Sequence, residues 1–187
     1  MNKKHRSAIS ALWLCAGFAL LAAWGCSPSD GESNGASRNA PDAGKAAPEA
    51  VVHLFFADVE NEYLTAEARR LPYQEEPIRK GRAIVEALID GPRQPLVGTV
   101  PSGTTIRAFY ITEEKVAYVD LSRQVYENHP GGATSELMTI YSIVNSLSLN
   151  IPEIDAVKIL IEGREKQTLA GHIDLRLPFE ANMMMVR

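Results

Sequence analysis

Cysteine is nearly absent from the sequence: Cys15 and Cys26 are the only two in 187 residues. Everything after residue 26 is therefore without a disulfide, a cysteine nucleophile or a thiolate metal site. Aromatic residues make up only 7%, which leaves few stacking surfaces. Past the first 25 residues no Lys and Arg cluster stands out, and the formal charge of the whole chain is −4. Nucleic acid is excluded as a partner on that ground, because phosphate binding needs a concentrated positive footprint. From residue 51 onward there is no HExxH, no GxSxG and no Ser-x-x-Lys, so the common zinc-hydrolase and serine-nucleophile patterns are missing. The glycines of Pro101-Ser102-Gly103-Thr104 and Gly131-Gly132 match turn punctuation, not a phosphate-cradling loop.

What is present suits one ordinary domain. Hydrophobic residues are 45% and charged residues 22%, enough for a core that needs no metal or crosslink. The first 25 residues carry Lys3, Lys4 and Arg6 and no acid, so the charge becomes −7 once they are removed. No metal and no cofactor is expected.

The opening divides sharply. A positive start, MNKKHRS, precedes an apolar run of 17 residues from Ala8 to Trp24, and the chain turns polar after Cys26. That run sits between a leader's apolar region and the short limit of a spanning helix. Three outcomes are open: an uncleaved anchor, secretory cleavage nearby, or lipidation. The stretch Ala23-Trp24-Gly25-Cys26 resembles the lipobox of bacterial lipoproteins, which implies cleavage after residue 25 and acylation of Cys26. Several acyl chains hold a protein stably on a membrane, so the expected location is a lipid-anchored site outside the cytoplasm. Ser27, in place of Asp, points toward the outer membrane in a cell that has one. Residues 26–50 contain no aromatic, Leu, Ile or Val and cannot bury enough surface to order themselves. They read as a tether reaching roughly 25–30 Å.

Beyond the tether, period-two and apolar runs predict strands at 51–57, 63–71, 105–111, 115–121, 156–163 and 172–178. Apolar stripes predict helices at 77–90, with Pro77 at the start and Gly91-Pro92 as the stop, and from about Thr134 to Leu149. Glu136 lies in that second helix's first turn, where it complements the dipole. The first two strands are expected to pair as a hairpin. The order predicts an α+β domain: a mostly antiparallel sheet, open to a mixed pairing, with two helices packed on one face. Residues 179–187 read as a loosely held tail.

Candidate chemistry is dispersed. His53, His129 and His172 share no ligand spacing; Met183, Met184 and Met185 read as tail packing before a soft-metal site. Glu75-Glu76 and Glu113-Glu114 read as a helix start and a turn. Asp120 can accept free backbone N–H groups at a strand end. Tyr110, Tyr118 and Tyr126 are the stacking surfaces available to a small ligand or cell-wall glycan.

The ordered set of segments IVEALIDGP (84–92), VPSGTTIRAFYI (100–111), VAYVDLS (116–122), GGATSELMTIYSIVNSLSL (131–149) and AVKILIEG (156–163) resembles the GerMN domain family of spore germination and sporulation lipoproteins, over about residues 51–178. The resemblance implies a non-catalytic module of the bacterial envelope that works by protein–protein assembly, with no catalytic residue to carry over. The expected partners are the membrane, through the lipid, and an envelope protein or a second copy. A small-ligand or glycan-binding lipoprotein is the alternative.

Overall fold

The structure, a computed structural model, describes residues 47–187. The leader, Cys15, the lipidation candidate Cys26 and nearly all of the 26–50 tether lie outside the described residues. Strand β1 (Glu49–Ala57) starts two residues before its apolar run and pairs antiparallel with β2 (Leu64–Pro72). Their register runs unbroken from Glu49 opposite Pro72 to Ala57 opposite Leu64. Val52, Leu54 and Phe56 alternate onto the main core, while Phe55 and Ala57, on the other face, are buried with Leu64 and Met138. This pair forms a sheet of its own.

Helix α1 (Pro77–Ile89) opens on proline and ends where Gly91 takes φ +87°. It turns Ile84, Val85 and Leu88 inward. A Cβ added at Gly81 would stand 2.3 Å from Phe109 Cζ, so this helix meets the next strand at a distance open only to glycine. A second sheet follows, ordered β3 (Ile106–Ile111), β4 (Val116–Leu121), β5 (Ala156–Ile161) and β6 (Phe179–Glu180). Only the β4–β5 pair is parallel, because the chain crosses over through short α2 (Gln124–Glu127) and long α3 (Ala133–Ser148) between them. The sheet is thus mixed.

Helix α3 packs against β1, α1, β5 and β6. Ile140, Ile143, Val144 and Leu147 are buried in it, and so are Glu136, Thr139, Ser142, Asn145 and Ser146. Burying that many polar groups is tolerable only if each finds a partner.

Two expectations need correction. The strand predicted over 172–178 does not form. The Glu136 carboxylate takes the N–H groups of His172 and Ile173, and Leu175 N–H bonds to Gln167 C=O at 2.8 Å. Asp174 and Arg176 close a turn on each other, and Pro178 has no N–H to give. The last strand is β6, beside β5. Nor is 179–187 loosely held: Asn182 and Asn145 exchange two hydrogen bonds, of 2.8 and 3.1 Å, and Arg187 N–H bonds to Leu64 C=O at 2.9 Å.

Candidate functional site

The outer edge of β1 is sealed by side chains four residues apart. Ser142 and Ser146 lie on α3, and Asn150 sits just past its end. Ser146 Oγ accepts from Phe55 N–H at 3.0 Å, and Ser142 Oγ donates to Phe55 C=O at 2.7 Å. Asn150 accepts from His53 N–H at 3.0 Å and donates to His53 C=O at 2.7 Å. Farther along, Val97 exchanges both backbone bonds with Ala57, at 3.2 and 2.8 Å. A helix thus does for this strand what a third strand would do.

The other edge of the hairpin is different. Because His53, Phe55 and Ala57 turn their backbone groups away from β2, their register partners Ala68, Ala66 and Leu64 turn theirs away from β1. Leu64 is met by Val186 and Arg187. Among the described residues no hydrogen bond reaches the backbone N–H or C=O of Ala66, Ala68 or Arg70 on that edge. All three residues are exposed.

Beneath this bare edge lies a buried ion pair. Glu67 and Arg69 are 2% and 5% exposed, and Arg69 Nε donates to Glu67 Oε1 at 2.9 Å. The guanidinium also donates to the C=O of Ala87 and of Gly91, at 3.0 and 2.9 Å, closing the end of α1. Glu67 Oε2 accepts from the N–H groups of Arg93 and Gln94, at 2.7 and 2.9 Å. Burial pushes this carboxyl up, but Arg69 and the two N–H groups outweigh it and hold the pKa below 4.5. The pair fixes β2 rigidly to the α1–β3 connection.

A polar cluster surrounds the start of α3. Glu136, fully buried, accepts from the N–H groups of Ala170, His172 and Ile173 and lies 3.0 Å from His172 Nδ1. Gly131 N–H donates to His129 Nδ1, so the neutral ring carries its proton on Nε2, facing Thr139 Oγ1 at 3.1 Å. Thr139 donates to Thr99 C=O at 2.5 Å. Burial lowers the His129 pKa below 6.5, against the pull of the Glu136 charge. Beside these groups opens a cleft of about 290 Å³ bordered by Asn61, Thr99, Ser135, Met138 and Thr139.

The residues singled out from sequence are scattered by the fold. Tyr110 and Tyr118 do come together, with ring centroids 4.8 Å apart and planes within 8°, but Tyr126 stands elsewhere with Lys166 over its ring. His53 sits on β1, whereas His172 contacts Glu136 and His129 lies near enough to feel its charge. Among the described residues, no group of three or more His, Cys, Asp or Glu could hold a metal ion. Met183–Met185 form a short 3₁₀ turn capped by Asn182, with Met185 against the core. Glu76 stands at the N-cap position of α1 without a capping side-chain bond and pairs with Arg79 instead. Asp120 accepts from Gly163 N–H at 2.8 Å, the strand-end role expected of it. No helix among the described residues is long and apolar enough to cross a membrane. Sequence reasoning missed the sealing stripe, the buried Glu67 and the loop-holding role of Glu136; for the stripe, the spacing of Ser142, Ser146 and Asn150 was the available signal.

Comparison with known proteins adds a lineage. A family model, Germane, described as sporulation and spore germination, matches residues 53–167. Among solved structures, a candidate lipoprotein from Clostridium perfringens is 24% identical with a TM-score of 0.52, covering 71% of this chain and 87% of that one. The first GerMN domain of the sporulation protein GerM from Bacillus subtilis is 21% identical with a TM-score of 0.58, covering 71% of this chain and 98% of that one. The tandem GerMN domains of the same protein give 21% and 0.57, covering 70% of this chain and 46% of that one. At these identities the likeness is one of fold. No curated protein matches the sequence.

Proposed function

The chain belongs to the Germane family of sporulation and spore germination domains, and from that premise we propose that it is a lipid-anchored, non-catalytic scaffold of the bacterial envelope that works by protein–protein assembly. Cys26 carries the lipid, residues 26–50 act as the tether, and the domain stands outside the cytoplasm, on the outer membrane where the cell has one. A sporulation or germination setting fits the family. The observation that carries the assembly reading is the contrast within one hairpin, whose β1 edge is sealed by α3 while the backbone of Ala66, Ala68 and Arg70 has no partner among the described residues. Unpaired strand edges are templates for another chain.

The buried polar groups support a role without catalysis: Glu67 and Arg69 bond to each other and to backbone atoms, and Glu136 bonds to three backbone N–H groups and His172. Glycan binding through the tyrosines is the weaker reading, since Tyr110 and Tyr118 each spend a ring face on the other. Two measurements test the proposal. The mass of the mature N-terminal peptide is expected to show cleavage before Cys26 and an acylated residue there; an unmodified Cys26 ends the anchor reading. A photo-crosslinking side chain at position 66 or 70 is expected to give a discrete protein adduct in envelope membranes. Retention on purified cell wall with no such adduct would favour the glycan reading.

A further inference from the structure

We propose that the partner at the bare edge is a second copy of this chain, joined by antiparallel β2–β2 pairing centred on Ala68; this rests on the assembly reading above. Three residues offer six backbone groups on the edge, an N–H and a C=O each on Ala66, Ala68 and Arg70. A two-fold axis at Ala68 sets Ala68 against Ala68 and Ala66 against Arg70, so all six are matched at once in hydrogen-bonded pairs. On the inner face the same register sets Glu67 of one copy opposite Arg69 of the other, and each stays in its own buried ion pair, so no unpaired charge is carried into the seam.

Neighbouring registers are worse for stated reasons. Centring on Glu67 sets Arg70 against Leu64, whose C=O is already taken by Arg187, and centring on Arg69 sets Ala66 against Pro72, which has no N–H. Centring on Arg70 places two exposed guanidinium groups opposite each other and brings Pro72 against Ala68. Centring on Ala66 brings Ala68 against Leu64, whose C=O is already taken by Arg187. With the axis at Ala68 the two Arg70 side chains stand about 14 Å apart along the strands at 3.4 Å per residue. That exceeds the screening length of about 8 Å at physiological salt. The ladder is short and bounded: β2 runs to Pro72, so at each end Pro72 of one copy, with no N–H to give, comes opposite Leu64 of the other, whose C=O Arg187 has already taken. Ala66 and Ala68 are small and exposed, so the seam is not blocked by bulk.

The register makes the test specific. In the full chain in envelope membranes, Ala68→Cys is expected to give a disulfide-linked dimer under mild oxidation, because hydrogen-bonded partners lie within disulfide reach. Arg70→Cys alone stays monomeric, whereas Ala66→Cys and Arg70→Cys expressed together link to each other. Wild type runs alongside as the control for Cys26. Adding Ala68→Lys to the Ala66→Cys and Arg70→Cys pair sets two ammonium groups face to face, and the link is lost. A dimer formed by Arg70→Cys alone, or no dimer with Ala68→Cys, overturns the self-pairing. Crosslinking from position 68 to a different protein also overturns it yet leaves the assembly reading standing; no adduct of any kind from 66, 68 or 70 overturns both.

Discussion

The two edges of the β1–β2 hairpin present the same chemistry, rows of backbone N–H and C=O groups, and meet opposite fates. On β1 each outward residue from His53 to Ala57 is partnered, by Asn150, by Ser142 with Ser146, or by Val97. On β2, among the described residues, only Leu64 is met. The ion pair beneath β2, with its bonds to the end of α1 and to the following loop, holds the bare strand in place. An open edge that is rigid can pair with another chain at little ordering cost. The contrast therefore separates groups that make the fold from groups left available to a partner.

Removing the floor of the bare edge should have the largest effect. Arg69→Met leaves Glu67 buried without its cation, and urea unfolding is expected to show a loss of about 3–5 kcal/mol. The acid side gives a second readout. With its native pKa held below 4.5, Glu67 contributes stability that is fully present above the ordinary carboxyl value and is lost as pH falls through the lower native one. In Arg69→Met that loss should shrink or reverse. On the sealed edge, Ser146→Ala strands the buried Phe55 N–H and is expected to cost about 1–3 kcal/mol. Asn150→Ala should cost less, about 1 kcal/mol, because water can reach His53. Smallest is Ala68→Lys, an exposed position with no native contact to lose; thermal melts of the monomer should move by less than about 0.5 kcal/mol. If Ala68→Lys proved as costly as Ser146→Ala, the two edges would not differ as described.

Much of this architecture is written in local pattern. Pro77 and Gly91 bracket α1, the apolar runs mark five of the six strands, and Asp120 was recognisable as a strand-end acceptor. The GerMN-like order of segments was legible too, and the Germane match bears it out. The rest depends on contacts remote in sequence. Ser142, Ser146 and Asn150 have the spacing of a solvated helix face, and only the approach of β1, some ninety residues earlier, makes them a seal. Glu67 and Arg69 alternate as the outward residues of a half-exposed strand would; the end of α1 closes over them. Glu136 was readable as a dipole complement, but its work on the loop at 170–173 is tertiary. The apolar alternation in 172–178 predicted a strand, and capture of its N–H groups by Glu136 prevailed.

Amide hydrogen exchange on the full chain in envelope membranes, resolved to single residues, compares the two edges directly. The N–H groups of Ala66, Ala68 and Arg70 are expected to be protected to the same degree as those of His53 and Phe55, since a partner strand would seal one edge as α3 seals the other. Fast exchange at residues 66, 68 and 70 beside slow exchange at 53 and 55 would mean that nothing docks there, and would contradict the assembly account.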